Sequence, residues 1–258
     1  MIIWLASGNK HKQQELSTIL SGHTVRIPAE AGIKNFDPAE TGTSFAENTL
    51  IKARALYREL DTAGKIFLSG EYCPVLADDS GLCVDILDGR PGIYSARYYG
   101  KESWNSDGSF REKSAPAKLK DEERNLLLLE ELDSLSSNVE FATQTPTASA
   151  KSANVEFAKQ TPTASAFGRC RNCRFVCAMV LLFSPDKFYL IQETMEGEIV
   201  SSAAEIRGHG GFGYDPIVYL PEMGCTVAEL PEEEKNRLSH RGKAGRVLAK
   251  LLNSLMRN

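Results

Sequence analysis

The chain has 258 residues, 42% of them apolar and 25% charged, with a formal net charge of −4. That is enough to bury a sizeable core in one large or two modest domains, and the acidic balance argues against a nucleic-acid partner. No apolar run approaches the length of a membrane span, and Met1–Ser7 has no signal-peptide layout, so the sequence reads as cytoplasmic, with no membrane partner.

In chain order, residues 2–7 predict a strand and residues 10–20 a helix with Leu16, Ile19 and Leu20 as its apolar positions. Between them runs Ser7-Gly8-Asn9-Lys10-His11-Lys12. A glycine, a helix start with free N–H groups and two lysines suit a polyphosphate, although an ordinary solvated helix start reads the same way. Residues 44–60 predict the clearest helix, with Ser44 as its cap, Glu47 as the capping-box acid, and Asn48 and Lys52 on one face. Glu40 precedes a glycine turn just upstream.

The short apolar run Pro74–Ala77 predicts a buried strand that ends in Asp78-Asp79-Ser80-Gly81. Two adjacent carboxylates at a strand end are costly without an opposing positive charge, and Mg²⁺ or Mn²⁺ suits such oxygen ligands. An Asx turn with Gly81 at positive φ is the plain alternative. A charged helix with a Leu-rich face follows over 118–132, then strands over 174–183, 187–193 and 198–206. The tail, 241–256, predicts an amphipathic helix carrying Val247, Leu248, Leu251, Leu252 and Leu255. Strands and helices intermix, so a mixed α/β sheet is expected.

Two further stretches carry chemistry. In Gly210-Gly211-Phe212-Gly213-Tyr214-Asp215-Pro216 the glycines flank two aromatics and an acid. This is a poor core but a good slot for a heterocycle, with a Gly-rich hairpin turn as the alternative. Lys235 and Ser239-His240-Arg241-Gly242 can read polar edges of the same ring. The cysteines are scattered; Cys170 and Cys173 form a CxxC without a second pair at zinc spacing, so a free pair or a disulfide is expected there rather than a structural metal. The segment Asn138–Ala150 recurs almost unchanged as Asn154–Ala166. Rich in Thr, Ser, Ala and Pro, it reads as a recent tandem duplication in a mobile surface loop, part of an insert at about 134–170 that interrupts a single 1–258 domain.

Together SGNKHK at 7–12, ETGTSFAENTLIKA at 40–53, LADDSGLCVDILDGRPGIYSARYYG at 76–100, GGFGYDP at 210–216 and EEEKNRLSHRGKA at 232–244 closely resemble the inosine/xanthosine triphosphate pyrophosphatases. The resemblance spans 2–132 and 174–256 in the family's order; the insert, a longer segment around 64–73 and serine at position 7 depart from it. It implies an elongated two-lobed α/β fold with a long mixed central sheet, flanking helices and a central active-site cleft, in a homodimer. It implies Mg²⁺-dependent hydrolysis of ITP, dITP and XTP to the monophosphate and pyrophosphate, with Mn²⁺ able to substitute. By analogy Glu40 and Asp79 hold the metal and Asp79 activates water. Ser7, Gly8, Asn9, Lys10, His11, Lys12, Lys52 and Ser80 surround the phosphates. Phe212, with Gly213 and Tyr214, stacks on the base, and Asp215, Lys235, His240 and Arg241 contact its edge. Two rivals remain open: a nucleotide sensor, which has no need for Glu40, Asp78 and Asp79 together, and a phosphatase releasing orthophosphate.

Overall fold

The computed structural model describes residues 1–68, 70–111, 119–143 and 171–256, with side chains left out over 136–143. Most of the insert, including the second repeat and Cys170, lies outside the described residues, as does residue 118, where the sequence starts its charged helix. The strands are β1 (Ile2–Leu5), β2 (Thr24–Arg26), β3 (Phe67–Leu68), β4 (Glu71–Tyr72), β5 (Val75–Val84), β6 (Asn172–Ser184), β7 (Lys187–Ile199), β8 (Val218–Leu220) and β9 (Cys225–Thr226). The α-helices are α1 (Lys10–Ile19), α2 (Phe45–Thr62), α3 (Asp121–Thr143), α4 (Glu232–Leu238) and α5 (His240–Leu255). One seven-stranded mixed sheet runs β2-β1-β5-β6-β7-β8-β9, parallel from β2 to β5 and antiparallel beyond. No helix among the described residues is long and apolar enough to cross a membrane.

The acidic pair does not end a strand. β5 continues through Asp78-Asp79-Ser80-Gly81 to Val84, laddered on β6 from Val75↔Leu182 to Val84↔Cys173. Ladder bonds on both sides of the pair hold the chain extended, so the Asx turn does not form, and Gly81 is not among the residues at positive φ. Its missing Cβ has another reason. A Cβ there would lie 2.3 Å from the Gly92 carbonyl oxygen and 2.5 Å from Ser95 Oγ, so glycine lets the turn at 92–95 lie against the strand.

Side chains alternate along a strand, and this splits the pair between faces. Leu76, Asp78, Ser80, Leu82 and Val84 share one face; Val75, Ala77, Asp79, Gly81 and Cys83 share the other. On the first face Leu76 packs with α1 and α5 (Leu16, Leu248, Leu252), while Leu82 and Val84 pack with Leu128, Leu129 and Leu132 of α3. On the second, Ala77 packs with Ala53, Leu56 and Leu60 of α2, and Cys83 with Phe45 and Val176. A polar band therefore crosses the strand between two apolar zones on each face.

Other boundaries differ in detail. β7 runs unbroken to Ile199, and the stretch 198–206 is otherwise a short 3₁₀ turn, Ala203–Glu205, rather than a strand. α3 extends past 132 into the first repeat copy. Val247 of α5 is exposed while Leu248 and Leu252 are buried. Glu47 bonds back to the N–H and hydroxyl of Thr43, one residue before the Ser44 cap. Replacing Gly81 with alanine forces a methyl into a backbone carbonyl and is expected to destabilise the protein by about 1–3 kcal/mol; a thermal melt of Gly81→Ala reads it as a fall of several degrees.

Candidate active site

On the first face Asp78 is fully enclosed by cations. Lys12 Nζ lies 3.0 Å from Oδ1 and 2.9 Å from Oδ2, and Arg241 Nε donates to Oδ2 at 3.3 Å. Arg241 is itself buried; its remaining donors go to Glu15 Oε2 at 2.8 Å and Ser80 Oγ at 2.8 Å. Burial alone would raise Asp78, but Lys12, Arg241 and Lys52 reverse this and hold it well below the usual carboxylate range. The same carboxylates outweigh desolvation at Arg241 and keep its charge. Beside it, His240 stacks on Phe175 at 5.0 Å between centroids, with a 12° interplanar angle. Burial first, then the charges of Arg241 and Lys235, push its pKa well down, so the imidazole is neutral.

On the second face Lys52 bridges two acids, with Nζ 2.9 Å from Glu40 Oε1 and 3.1 Å from Asp79 Oδ1. Burial raises the Asp79 pKa, against the pull of Lys52 and with help from Glu40. Burial would depress Lys52, but Asp79, Asp78 and Glu40 outweigh it and raise it. Asp79 Oδ2 is buried without a hydrogen-bond partner among the described residues, an atom with an open acceptor position beside a second carboxylate. That donor set fits a hard divalent ion held by one or two carboxylates, with phosphate and water completing its shell. The loop bearing Glu40 is fastened by α2: Asn48 Oδ1 accepts from Gly42 N–H at 2.8 Å and Glu47 Oε2 from Thr43 N–H at 2.6 Å.

The aromatic loop is built differently from the expected slot. Tyr214 is in the core, its hydroxyl donating to the Ser95 carbonyl at 2.9 Å. Asp215 is buried and accepts from Lys235 Nζ at 2.7 Å and from Phe212 N–H at 2.9 Å. Gly211, at φ 77°, makes room for that pair, since a Cβ there would lie 2.0 Å from Asp215 Oδ2. Only Phe212 projects, 45% exposed, with Lys235 Nζ 5.1 Å and the Arg241 guanidinium 5.4 Å from its ring centre. A flat apolar ring flanked by two cations can hold a heterocycle and its attached charge.

Nine of the sequence-predicted residues fall into three groups, while His240, expected at the base edge, is buried against Phe175. Lys12, Ser80 and Arg241 meet at Asp78; Lys52, Glu40 and Asp79 meet through the strand; Phe212, Asp215 and Lys235 form the platform, touching the first group through Arg241. Lys10 and His11 are exposed, and the start of α1 is capped from within: Asn9 Oδ1 accepts from His11 and Lys12 N–H, and Ser7 Oγ from Asn9 N–H. Gly8 offers open backbone, with nothing within 4 Å of a Cβ position. Arg241 and Asp215, expected at the base edge, spend their groups on protein partners instead. Sequence reasoning missed Glu15, three residues after Lys12 and therefore on the same side of α1, which is the only signal for it. It also missed Asp121 and Asn125 of α3, which hold Gly213 and belong to no motif.

The Ham1 family model matches residues 3–159 and 141–251. The two stretches overlap across the repeated segment, as expected when one copy is surplus. The chain is 39% identical over 244 residues to the dITP/XTP pyrophosphatase of Treponema denticola, covering 95% of this chain and 94% of that one. It is 34% identical to the dITP/XTP pyrophosphatase of Geobacillus kaustophilus, covering 94% and 89%. Among solved structures it is similar to a HAM1 protein from Coxiella burnetii, with a TM-score of 0.66, 30% identity and 98% and 99% coverage.

Removing one partner of a buried ion pair leaves the others uncompensated, at a cost of about 3–5 kcal/mol. Asp78→Asn is expected to lose stability on that scale at pH 7. The folded-state pKa of Asp78 is depressed, so its contribution is complete above the unfolded value of about 3.9 and is lost as pH falls below it. Denaturant melts from pH 7 down to 2 should show a smaller acid-induced loss in Asp78→Asn than in the parent.

Proposed function

The chain belongs to the Ham1 family, and from that premise we propose that it hydrolyses the non-standard purine triphosphates dITP, ITP and XTP to the nucleoside monophosphate and pyrophosphate. The observation that carries the reading is the division of the acidic pair, which leaves Asp79 buried, raised in pKa and open at Oδ2 beside Glu40 and Lys52. In this reading Glu40 and Asp79 hold Mg²⁺, with Mn²⁺ able to substitute; when bound, such an ion neutralises phosphate charge. Asp79 accepts the proton of the attacking water, a task for which its oxygen Oδ2, without a partner among the described residues, is placed. The water oxygen bonds to the α-phosphorus as the bond from that phosphorus to the bridging oxygen breaks, and the leaving pyrophosphate keeps the bridging oxygen.

Lys12, paired with Asp78, and Lys52, paired with Glu40 and Asp79, are the lysines against the strand, and each can share its ammonium with phosphate. Positioning and charge do most of the work in phosphoryl transfer. Phe212 stacks on the base. A 6-oxo purine is preferred because donors near the ring reward an oxygen and are left unpaired against an amine; with Arg241 turned inward and the N–H groups of Phe212 and Gly213 already bonded, Lys235, whose ammonium has donors beyond the one given to Asp215, takes that role. A homodimer, which the family resemblance implies, and a cytoplasmic enzyme without a nucleic-acid or membrane partner, read from charge and hydropathy, are part of the same proposal.

A nucleotide panel assayed with Mg²⁺, resolving pyrophosphate from orthophosphate, is expected to give pyrophosphate from ITP, dITP and XTP and little turnover of ATP. Orthophosphate as the first product would assign a different reaction. Asp79→Asn is expected to lower kcat for ITP at least about 10²-fold while the melting temperature changes little. Phe212→Ala is expected to raise KM for ITP roughly 5- to 150-fold, the equivalent of a stacked base.

A further inference from the structure

Gly213, the residue after the exposed ring, has both of its backbone groups taken by one helix. Its N–H donates to Asp121 Oδ2 at 2.7 Å, and its carbonyl accepts from Asn125 Nδ2 at 3.1 Å. Asp121 and Asn125 lie four apart and so one above the other on α3. The clamp is itself braced. Arg124, buried, donates to Asp121 Oδ1 at 2.7 Å and to the Leu119 carbonyl at 3.0 Å, leaving Oδ2 for the loop. Asn125 is 2% exposed, so its amide is fixed by packing, and Leu128, Leu129 and Leu132 anchor the same helix in the core with Tyr214 and Ile217.

The loop is thus tied at three consecutive residues: Gly213 to α3, Tyr214 to the Ser95 carbonyl, and Asp215 to Lys235. Gly213 has φ 67°, which a glycine adopts freely and which two hydrogen bonds select from the alternatives. Phe212 comes next, and its own N–H and carbonyl are bonded only within the loop, to Asp215 Oδ2 at 2.9 Å and Asp215 N–H at 3.4 Å, so Gly213 is where the segment bearing the ring is fastened to α3. Without the clamp the turn is held only by its bonds to Asp215, and the ring is less firmly directed between Lys235 and Arg241.

We infer that Asp121 and Asn125 are positioning residues for nucleotide recognition, setting the affinity for the base by fixing the direction of Phe212. The inference rests on the stacking role proposed for Phe212. It gives α3 a part in specificity that none of the sequence motifs contains.

The test is a double-mutant cycle in the full-length enzyme. Asp121→Ala and Asn125→Ala are made singly in the parent and in Phe212→Ala, with Leu126→Ala, exposed on the same helix, as control. In the parent each clamp variant is expected to raise KM for ITP roughly 3- to 10-fold, the range of a lost hydrogen bond, with kcat within about twofold. In Phe212→Ala the same changes should add less than about twofold, because the group they position is gone. Inhibition by inorganic triphosphate, which has no base, should be unchanged, and Leu126→Ala should match the parent. If Phe212→Ala raises KM while both clamp variants leave it unchanged, add equally in both backgrounds or weaken inorganic triphosphate as well, the inference fails and the stacking role stands. If Phe212→Ala itself leaves KM unchanged, the stacking role fails and takes the inference with it. Should one clamp variant not fold, the other decides the outcome.

Discussion

Two adjacent carboxylates on one extended strand cannot share a face, and the rest of the site follows from that. Asp78 and Asp79 are held extended by the β5–β6 ladder, so their side chains enter different environments a few ångströms apart. Asp78 meets Lys12 and Arg241 and is locked in its charged form. Asp79 meets a single ammonium, already shared with Glu40, and keeps one oxygen free. Burial raises both; the cations around Asp78 reverse it there, while at Asp79 burial outweighs the pull of Lys52 and the neighbouring Glu40 adds to the rise.

This division lets one strand carry an acid enclosed by cations beside one with an unpartnered oxygen, the acid proposed for the chemistry. The Asp78 cluster ties α1, β5 and α5 together: Lys12 and Glu15 come from α1, Ser80 from the strand and Arg241 from α5. A cluster of that kind is stabilising only while complete, and it sets the first turn of α5 where Arg241 reaches the Phe212 ring. Asp79, on the far face, is spared that duty. Its partners come from α2 and the Glu40 loop, which Asn48 and Glu47 fasten through the backbone of Gly42 and Thr43.

Much of the fold was legible in the sequence where local chemistry and tertiary structure agree. Ser44 caps α2, Asn48 and Lys52 share its buried face, and the apolar spacing of the tail gives α5. The start of β5 was legible as the apolar run 74–77, but its continuation over 78–84 was not, because Asp-Asp-Ser-Gly carries every local signal of a turn. The ladder to β6 overrides those signals, and only a partner strand distant in sequence supplies it. The glycine there answers a close approach from residues 92–95 rather than a left-handed backbone. In the loop at 210–216 the residue types pointed to a ring-binding platform, but Tyr214 and Asp215 turned inward. Two aromatics in a row of glycines give no sign of which one the core will take. Asp121 and Asn125 were invisible for a related reason, since on a charged helix an acid and an amide look like solvated surface.

The central claim is that the two carboxylates, neighbours in sequence, ionise in opposite directions from the ordinary range. Carbon-13 NMR of the aspartate side-chain carboxyls in the metal-free protein, titrated from pH 7 downward and assigned with Asp78→Asn and Asp79→Asn, measures this directly. The signal of Asp78 should stay ionised well below the usual carboxylate range, and that of Asp79 should titrate above it. Titration of both at a common, ordinary value would contradict the division of the pair between two faces and the separate roles drawn from it.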